Sequence, residues 1–226
     1  MTDAPGPART PRAEQTRAAI VEAALALFAE RGYEAATMRA IADRAGVATG
    51  NAYYYFGSKE ELIQEFYSRN HAQHVAACQE LLATETRLAA RLGGTVRALI
   101  GVLTPYHGFA GTLYKHAAEP SSPLSPFSPQ SSHARQAAIA LYREVAEGST
   151  TRADPELRDR LPELLWLYSL GIILYWVHDT SPNGARTYRL IDATVPIATR
   201  LIAASRLPIL RATLRDITKL IDEFAG

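Results

Sequence analysis

Residues 37–59 read TMRAIADRAGVATGNAYYYFGSK, and this stretch decides the fold. Thr37 is a good N-cap, because its hydroxyl can accept a hydrogen bond from an unpaired amide of the first helical turn. Apolar residues then recur at helical spacing, at Met38, Ile41, Ala42 and Ala45. Gly46 ends this run, since glycine readily adopts the left-handed conformation of a helix C-cap. The pattern predicts a short amphipathic helix followed by a tight turn.

A second short helix is predicted over residues 48–55. Its exposed front residues are Thr49, Gly50 and Asn51. Gly57 then breaks the aromatic run, and residues 58–61, SKEE, have the S-x-x-E form of a capping box that starts another helix. Two short helices around a tight turn are the layout of a DNA-reading helix-turn-helix.

A strong amphipathic helix is predicted upstream, over residues 14–31, and Gly32 ends it. Its apolar face consists of Ile20, Ala23, Ala24, Leu27 and Phe28. Three such helices can bury a small core and hold the second helix of the turn outward, where its N-terminal residues enter the major groove. We call residues 13–67 the head and predict that it is a DNA-binding domain.

Residues from about Glu14 to Phe66 resemble the DNA-binding domain of TetR-family (tetracycline-repressor-like) transcription regulators. The resemblance lies in the runs AAxxLFAERGYEAATMRAIADRAGV and GNAYYYFGSKEEL. It implies an all-α fold, with a helix-turn-helix domain of three helices followed by a larger helical domain that dimerises and holds a small-molecule pocket. It also implies DNA contacts at Thr37, Arg39, Thr49, Gly50, Asn51, Tyr53 and Lys59. One departure is Ala52, where the family usually carries a larger apolar residue.

Residue types on the exposed side of the first helix of the turn and at the front of the second helix suit base recognition. Arg39 can pair with guanine in a bidentate manner, or it is a solvated arginine. Thr49 can touch a thymine methyl, and Asn51 can read adenine or hydrogen-bond the helix start. Gly50 permits close backbone approach to the groove, or it serves the geometry of the turn.

Phosphate contacts are predicted beside these residues. The phenols of Tyr53 and Tyr54 suit phosphate oxygens, which position a protein without specifying sequence. Tyr55 can act in the same way, although a place in the core is the stronger interpretation. Lys59 stands at the next helix N-terminus, where amides and the helix dipole already favour a phosphate.

The charge of the chain argues against binding driven by bulk electrostatics. The net charge is +1, and residues 1–67 hold seven Lys/Arg and nine Asp/Glu. We therefore expect modest non-specific DNA affinity and a moderate salt dependence. Arg9 and Arg12 precede the first helix and can add to the same surface as Arg39 and Lys59.

The rest of the chain indicates a cytoplasmic protein that is neither an enzyme nor a membrane protein. Cys78 is the single cysteine, which excludes an internal disulfide and fits a reducing compartment. Residues 1–12 lack the apolar segment of a signal peptide, and residues 164–177 are too short to span a bilayer of about 30 Å. We find no nucleophile–base pair, phosphate loop or cofactor motif. His71 and His74 are three apart, but solvent-exposed histidines are predicted rather than a metal site.

The larger domain, residues 68–226, is predicted to be helical, and residues 1–12 form a flexible arm. One long helix, about residues 60–86, leaves the head. A helix over residues 87–103 is weakened at its Gly-Gly pair, residues 119–132 form a Pro/Ser-rich loop, and a last helix begins at Pro208.

Aromatic residues of this domain are candidates for lining a ligand pocket or for core and dimer contacts: Tyr106, Phe109, Tyr114, Trp166, Tyr175 and Trp176. The ligand is expected to be neutral and aromatic or hydrophobic, with Lys115, His116 and Glu119 supplying polarity at the pocket edge. Apolar helices over residues 161–177 and 187–205 are the candidates for a four-helix homodimer interface.

These features together predict a dimeric repressor that binds an inverted-repeat operator in double-stranded DNA and is released by a small hydrophobic or aromatic effector. The alternative is a DNA-binding regulator without a small-molecule effector, controlled by its abundance or by a protein partner.

Overall fold

The computed structural model describes residues 11–119 and 122–207, and in these ranges the chain is helical without a strand. The all-α fold is confirmed. The helices are α1 (Pro11–Arg31), α2 (Met38–Ala45), α3 (Thr49–Tyr55), α4 (Lys59–Thr84), α5 (Leu88–Leu103), α6 (His107–Ala117), α7 (Ser132–Glu147), α8 (Pro155–Val177) and α9 (Ala185–Ala204). Most of the predicted arm and the helix predicted from residue 208 lie outside the described residues. Residues 11 and 12, predicted to be part of that arm, begin α1.

The head forms its own core between α1, α2, α3 and the first turns of α4. Its most completely buried side chains include Ile20, Phe28, Ile41, Ala52, Phe56, Leu62 and Ile63. Burying a large apolar side chain contributes about 1.5–3 kcal/mol, so this cluster is the main source of stability for three short helices. Two later residues, Phe109 of α6 and Leu124 of the following loop, complete the same cluster.

The helix ends of the head follow the predicted signals. Thr37 accepts a hydrogen bond from the amide of Ala40 at 3.2 Å, and Gly46 takes a left-handed φ of 69°. Ser58 accepts from the amide of Glu61, and the carboxylate of Glu61 reaches back to the amide of Gly57 at 2.8 Å. A capping box is thus present. The bond from the Glu61 carboxylate goes to the amide of Gly57, one residue before Ser58, and not to the amide of Ser58.

Helix α4 leaves the head and forms a wall of the second helical bundle. Its 26 residues extend about 39 Å at 1.5 Å per residue. Helix α5 follows after a short connection and is continuous through Gly93 and Gly94, so the predicted weakening does not occur. A Cβ atom on Gly94 would overlap the side chain of Leu81, which means that this glycine lets α5 approach α4 closely.

A buried arginine joins three helices of the second bundle. Arg91 of α5 is 2% exposed, and its guanidinium donates to four backbone carbonyl oxygens. These carbonyls belong to Leu82, Glu85, Glu144 and Val145. They lie at the C-terminal ends of α4 and α7, where the helix dipole favours a positive charge, and the carbonyl of Glu144 also accepts from the amide of Gly148.

The Pro/Ser-rich segment is non-helical, as predicted, and is ordered as a series of turns. The amides of Ser122, Ser125, Ser128 and Ser131 each donate to the carbonyl three residues earlier. Prolines 123, 126 and 129 follow the first residue of successive turns, a position that their fixed φ favours. The segment is attached to α4, because Tyr67 donates to the carbonyl of Leu124 and Gln64 to the hydroxyl of Ser131, both at 3.2 Å.

The second bundle packs α5, α7, α8 and α9 around a separate apolar core that includes Leu92, Ile100, Tyr142, Leu165 and Ile191. Asp179 fixes the start of α9 by accepting from the amide and the hydroxyl of Thr187 at 2.8 and 2.7 Å. Among residues 11–119 and 122–207, no helix combines the length and the apolar character needed to cross a membrane.

Candidate nucleic-acid interface and cavity

One face of the head presents the side chains that were predicted to contact DNA. Thr37, Arg39, Gly50 and Asn51 are exposed, as are Tyr53 at 53% and Tyr54 at 81%. Thr49 is half-buried. The opposite side of α3 is buried through Ala52, which is 0% exposed, and Phe56 follows at 1%. Helix α3 is therefore held by its apolar side, and two large phenol rings remain in solvent.

Arg17 of α1 holds the C-terminal end of α3. Its guanidinium lies 4.3 Å from the centre of the Phe56 ring and donates to the carbonyl of Tyr55 at 3.2 Å. It also forms an ion pair with Glu65 of α4 at 2.6 Å. One arginine thus joins α1, α3 and α4, and it fixes the orientation in which α3 is presented.

Ion pairs within the head leave few cations for its exposed face. Arg44 forms a bidentate pair with Glu30 at 2.6 and 2.7 Å, and the hydrogen bond from Arg44 lowers the pKa of that carboxyl. Arg39 is exposed and makes no ion pair with the described residues. Arg12 borders a shallow cleft at the start of α3, together with Asn51. The positive charge of this face is therefore local, which agrees with the low net charge.

Lys59 is attached to the head itself. Its ammonium donates to the carbonyl of Tyr33 at 2.7 Å and lies 4.4 Å from the centre of the Tyr33 ring. A longer bond of 3.4 Å reaches the carbonyl of Glu34. Lys59 is thus half-buried and secures the connection between α1 and α2, and one of its three hydrogens remains for another acceptor.

A cavity of about 800 Å³ lies in the second bundle. It is bounded by α4, α5, α6, α7, α8 and the Pro/Ser-rich segment, and its wall is mostly apolar. Five of the six predicted aromatic residues line it: Tyr106, Phe109, Tyr114, Trp166 and Trp176. The prediction for Tyr175 is wrong, because this side chain is 41% exposed on the outside of α8. Consecutive helical residues point about 100° apart, so Tyr175 faces outward while Trp176 faces inward.

Polar side chains of α4 enter this apolar wall. Asn70 is 5% exposed, and neither its amide nitrogen nor its amide oxygen has a hydrogen-bond partner among the described residues. His74 is 4% exposed, with Nε2 2.8 Å from the carbonyl oxygen of Thr95. The prediction of solvent-exposed histidines is thus wrong for His74, and His71 is half-buried and lines the cavity.

The sequence carried a signal for these two residues. Every fourth residue of α4 is buried, and the series is Leu62, Phe66, Asn70, His74, Cys78 and Leu82. Asn70 and His74 interrupt this stripe of otherwise apolar or weakly polar side chains. The polarity was expected instead from Lys115, His116 and Glu119. Glu119 does not line the cavity, and the side chains of the other two lie outside the described part of the chain.

The cavity wall and the core of the head share side chains. Phe109 lines the cavity and packs between Phe28 of α1 and Phe66 of α4, with ring centroids 5.7 and 5.9 Å away. Tyr67 also lines the cavity and is bonded to the segment that carries Leu124 into the head core. Burial raises the pKa of Tyr67, so its phenol is neutral. A molecule in the cavity would contact groups that support the head directly.

Comparisons with known families agree with this arrangement. Residues 91–220 match the family described as tetracyclin repressor-like, C-terminal domain, and residues 20–66 match the bacterial regulatory proteins of the tetR family. The chain belongs to the TetR family. The two matches of this TetR-family chain correspond to the second bundle and to the head.

Curated relatives match part of this TetR-family chain. The chain is 51% identical over 49 residues to the HTH-type transcriptional repressor KstR2 of Mycobacterium tuberculosis, which is 22% of this chain and 24% of that protein. The HTH-type transcriptional activator FasR of Mycolicibacterium smegmatis is 40% identical over 90 residues, 40% of this chain and 41% of FasR. The chain thus spans about a quarter of the length of the KstR2 proteins of M. tuberculosis and Rhodococcus jostii that it matches, and about half of that of M. smegmatis.

Solved structures of other TetR-family regulators share the fold. The fatty acid degradation regulator FadR of Bacillus halodurans superimposes with a TM-score of 0.66 at 20% identity, over 83% of this chain and 96% of FadR. A TetR-family regulator of Syntrophomonas wolfei superimposes with a TM-score of 0.65 at 20% identity, over 87% of this chain and 98% of that regulator. At this identity the likeness concerns the fold alone.

Proposed function

We propose that this protein is a sequence-specific DNA-binding repressor that acts in the cytoplasm as a homodimer and leaves its operator when a small apolar molecule fills the cavity. In this proposal residues 13–67 read DNA, and residues 68–226 bind the effector and dimerise. The observation that carries it is Phe109, a side chain that belongs both to the cavity wall and to the core of the head. The KstR2 relatives are named as transcriptional repressors, which supports repression rather than activation.

The DNA contacts proposed are those of the exposed face of α2 and α3. Arg39 and Asn51 reach base edges, where a good bidentate pair is worth about 1–3 kcal/mol of discrimination. Thr37, Tyr53 and Tyr54 contact phosphates, and Thr49 and Gly50 lie against the groove. Lys59 contacts a phosphate with its remaining hydrogen while it secures the α1–α2 connection. The exposure of the two phenol rings supports this role, because large side chains otherwise gain from burial.

The dimer is proposed to form through the outer faces of α8 and α9. Tyr175 of α8 and Ile197 and Leu201 of α9 remain exposed there, as do Leu167 and Leu174, which also border the cavity. Pairing these faces between two copies gives a four-helix interface. Such a dimer presents two α3 helices to major grooves about 34–36 Å apart along the duplex, which requires an inverted-repeat operator.

Release by an effector needs a difference in affinity between two states. A ligand that fits the cavity better when α4 and α6 have moved apart would change the support of the head through Phe66 and Phe109. Only this differential affinity lowers operator binding, however tightly the ligand binds. The cavity favours an effector-controlled regulator over one controlled by abundance alone, because ligand pockets have this size and apolar character.

Selection of bound fragments from a random duplex pool at near-physiological salt tests the proposal. We expect enrichment of an inverted repeat and a dimer by sedimentation at micromolar concentration. Asn51→Ala should weaken binding to the selected site, whereas Gln73→Ala, an exposed substitution on α4, should leave it unchanged. A folded dimer that enriches no sequence would contradict the DNA-reading role, and a monomer would contradict the dimer.

A further inference from the structure

We infer that the molecule held by the cavity is neutral and mostly apolar and carries a hydroxyl group that hydrogen-bonds Asn70 and His74 of α4. This inference rests on the proposed function, since it takes the cavity to be the effector site, and it names the chemical class of the effector.

The carboxamide of Asn70 is the first observation. It is 5% exposed and lines the cavity, yet both of its polar atoms lack a partner among the described residues. Buried polar groups are normally hydrogen-bonded, so an amide in a cavity wall with both of its polar atoms unpaired calls for a missing partner. Because both ends of the amide are unpaired, the conclusion does not depend on which end is oxygen. A bound group that donates and accepts at the same time satisfies both.

His74 is the second observation, one helical turn after Asn70 and on the same side of α4. Burial lowers the pKa of its imidazole, which outweighs the bond to the Thr95 carbonyl, so the ring is neutral. The nitrogen facing that carbonyl, Nε2, must carry the hydrogen, because a carbonyl oxygen accepts. The other nitrogen, Nδ1, is then an acceptor. The two residues together offer one donor group and two acceptors, which suits an alcohol better than an ether or an isolated ketone.

The charge of the wall supports a neutral ligand. Among the described residues that line the cavity there is no aspartate, glutamate or lysine side chain, and the one arginine is Arg135. Its Nη1 atom donates to the carbonyls of Pro126 and Ser128, so it holds the Pro/Ser-rich segment in place. A carboxylate in this wall would lose its hydration, which costs free energy unless the charge is paired.

The chain contains two tryptophans, Trp166 and Trp176, and both line the cavity. Tryptophan fluorescence of the full-length protein therefore reports on the cavity without a label. We would titrate it with three probes of similar length: 1-decanol, 1-methoxydecane and sodium decanoate at pH 8. 1-Methoxydecane keeps the oxygen but lacks the hydroxyl hydrogen, and decanoate adds a negative charge.

We expect 1-decanol to bind at least fivefold more tightly than 1-methoxydecane and more tightly than decanoate. In Asn70→Leu, which keeps the size of the side chain, the preference for the alcohol should fall to less than half of its wild-type value while 1-methoxydecane still binds, because only the acceptor of His74 remains for the hydroxyl. This variant should unfold at a temperature no lower than the wild type, because it removes an unpaired buried amide. Gln73→Leu, on the exposed side of α4, is the control and should keep the preference.

Three results would overturn the inference: equal affinity of the wild type for alcohol and ether, an alcohol preference that is undiminished in Asn70→Leu, or tightest binding of decanoate, which would assign Arg135 as a carboxylate partner. Failure of every probe to bind would also overturn it. Operator binding measured in parallel separates this from the proposed function. If 1-decanol binds through Asn70 but leaves operator affinity unchanged, the ligand class stands and effector release fails.

Discussion

Phe109 of α6 stacks on Phe28 of α1, with ring centroids 5.7 Å apart and ring planes inclined by 26°. Phe28 is 0% exposed and central to the head, whereas Phe109 also forms part of the cavity wall. Phe66 of α4 meets Phe109 edge-on. Since packed cores move between discrete arrangements rather than deforming freely, a ligand that displaces α6 must repack the head.

Phe109→Leu should uncouple the cavity from the head. Leucine retains an apolar side chain but cannot stack, and an aromatic pair is worth about 0.5–1.5 kcal/mol beyond its buried area. We expect 1-decanol to bind within threefold of the wild-type affinity, measured by tryptophan fluorescence. The factor by which it weakens operator binding should fall by about fivefold, a loss of about 1 kcal/mol of coupling.

The matched control is Phe127→Leu. Phe127 also lines the cavity, but it packs against Trp166 at 5.5 Å and is 61% exposed, away from Phe28. This variant should retain the full coupling. If both variants lose coupling equally, the stack between α1 and α6 is not the connection, and a general change of the cavity is responsible.

Arg91→Met should destabilise the second bundle by about 3–5 kcal/mol, because it leaves buried carbonyls of two helix ends without a donor. Arg91→Lys should recover little of this loss, since one ammonium cannot reach both α4 and α7. Urea unfolding measures the effect. Arg143→Met, an exposed substitution on α7, should change stability by less than about 0.5 kcal/mol.

Gly148 supplies an independent check of the same site. A Cβ atom at this position would overlap the guanidinium of Arg91, so Gly148→Ala should destabilise the wild-type protein. In the background of Arg91→Met the same substitution should cost much less, because the clash is removed. Additive losses in the double variant would contradict the packing of Arg91 against Gly148.

Asp179 should make stability depend on acidic pH. Burial opposes its ionisation, but hydrogen bonds from Ser181 and Thr187 outweigh it and hold the pKa of this carboxyl well below its usual range. A carboxyl whose folded pKa is depressed stabilises the fold fully above its unfolded pKa of about 3.9, and the contribution is lost as the pH falls further. Thermal unfolding from pH 6 to pH 2.5 should show this loss.

Asp179→Asn should be less stable than the wild type at pH 6, and the difference should narrow towards pH 2.5, because below about pH 3.9 the unfolded wild-type carboxyl binds a proton while the folded one stays ionised. Asp159→Asn, an exposed substitution on α8, is the control and should follow the wild-type profile. A difference between Asp179→Asn and wild type that stays constant over this range would show that the bonds to α9 do not require the charge.

The head was predictable because its signals are local. Thr37, Gly46 and Ser58 set helix ends through bonds to residues within four positions, and each acts as the sequence indicated. Lys59 was less predictable. Its attachment to Tyr33 joins residues 26 apart, so a position typical of phosphate binding also has a structural task that depends on tertiary packing.

The cavity was predicted in part, through aromatic residues at helical spacing. Periodicity could not separate Trp176, which faces inward, from Tyr175, which faces outward, until the neighbours of α8 were known. Asn70 and His74 were not predicted as its polar groups, because His74 was predicted to be solvent-exposed and no local motif distinguished Asn70. A search for polar residues within an apolar stripe that repeats at every fourth position would have found both.

The ion pairs of the head determine how operator binding depends on salt. Each protomer offers Arg12 and Lys59 to phosphates, so a dimer that neutralises four phosphates gives a slope of log K against log salt of about −4. Arg12→Ala should make this slope shallower by about 2, since the dimer loses two phosphate contacts. Arg44→Ala should leave the slope unchanged, because Arg44 is paired with Glu30. Fluorescence anisotropy between 50 and 300 mM salt measures both variants. Equal changes in slope for the two variants would mean that the Arg44–Glu30 ion pair opens on DNA. The ion pairs of the free protein would then not predict which side chains contact phosphates.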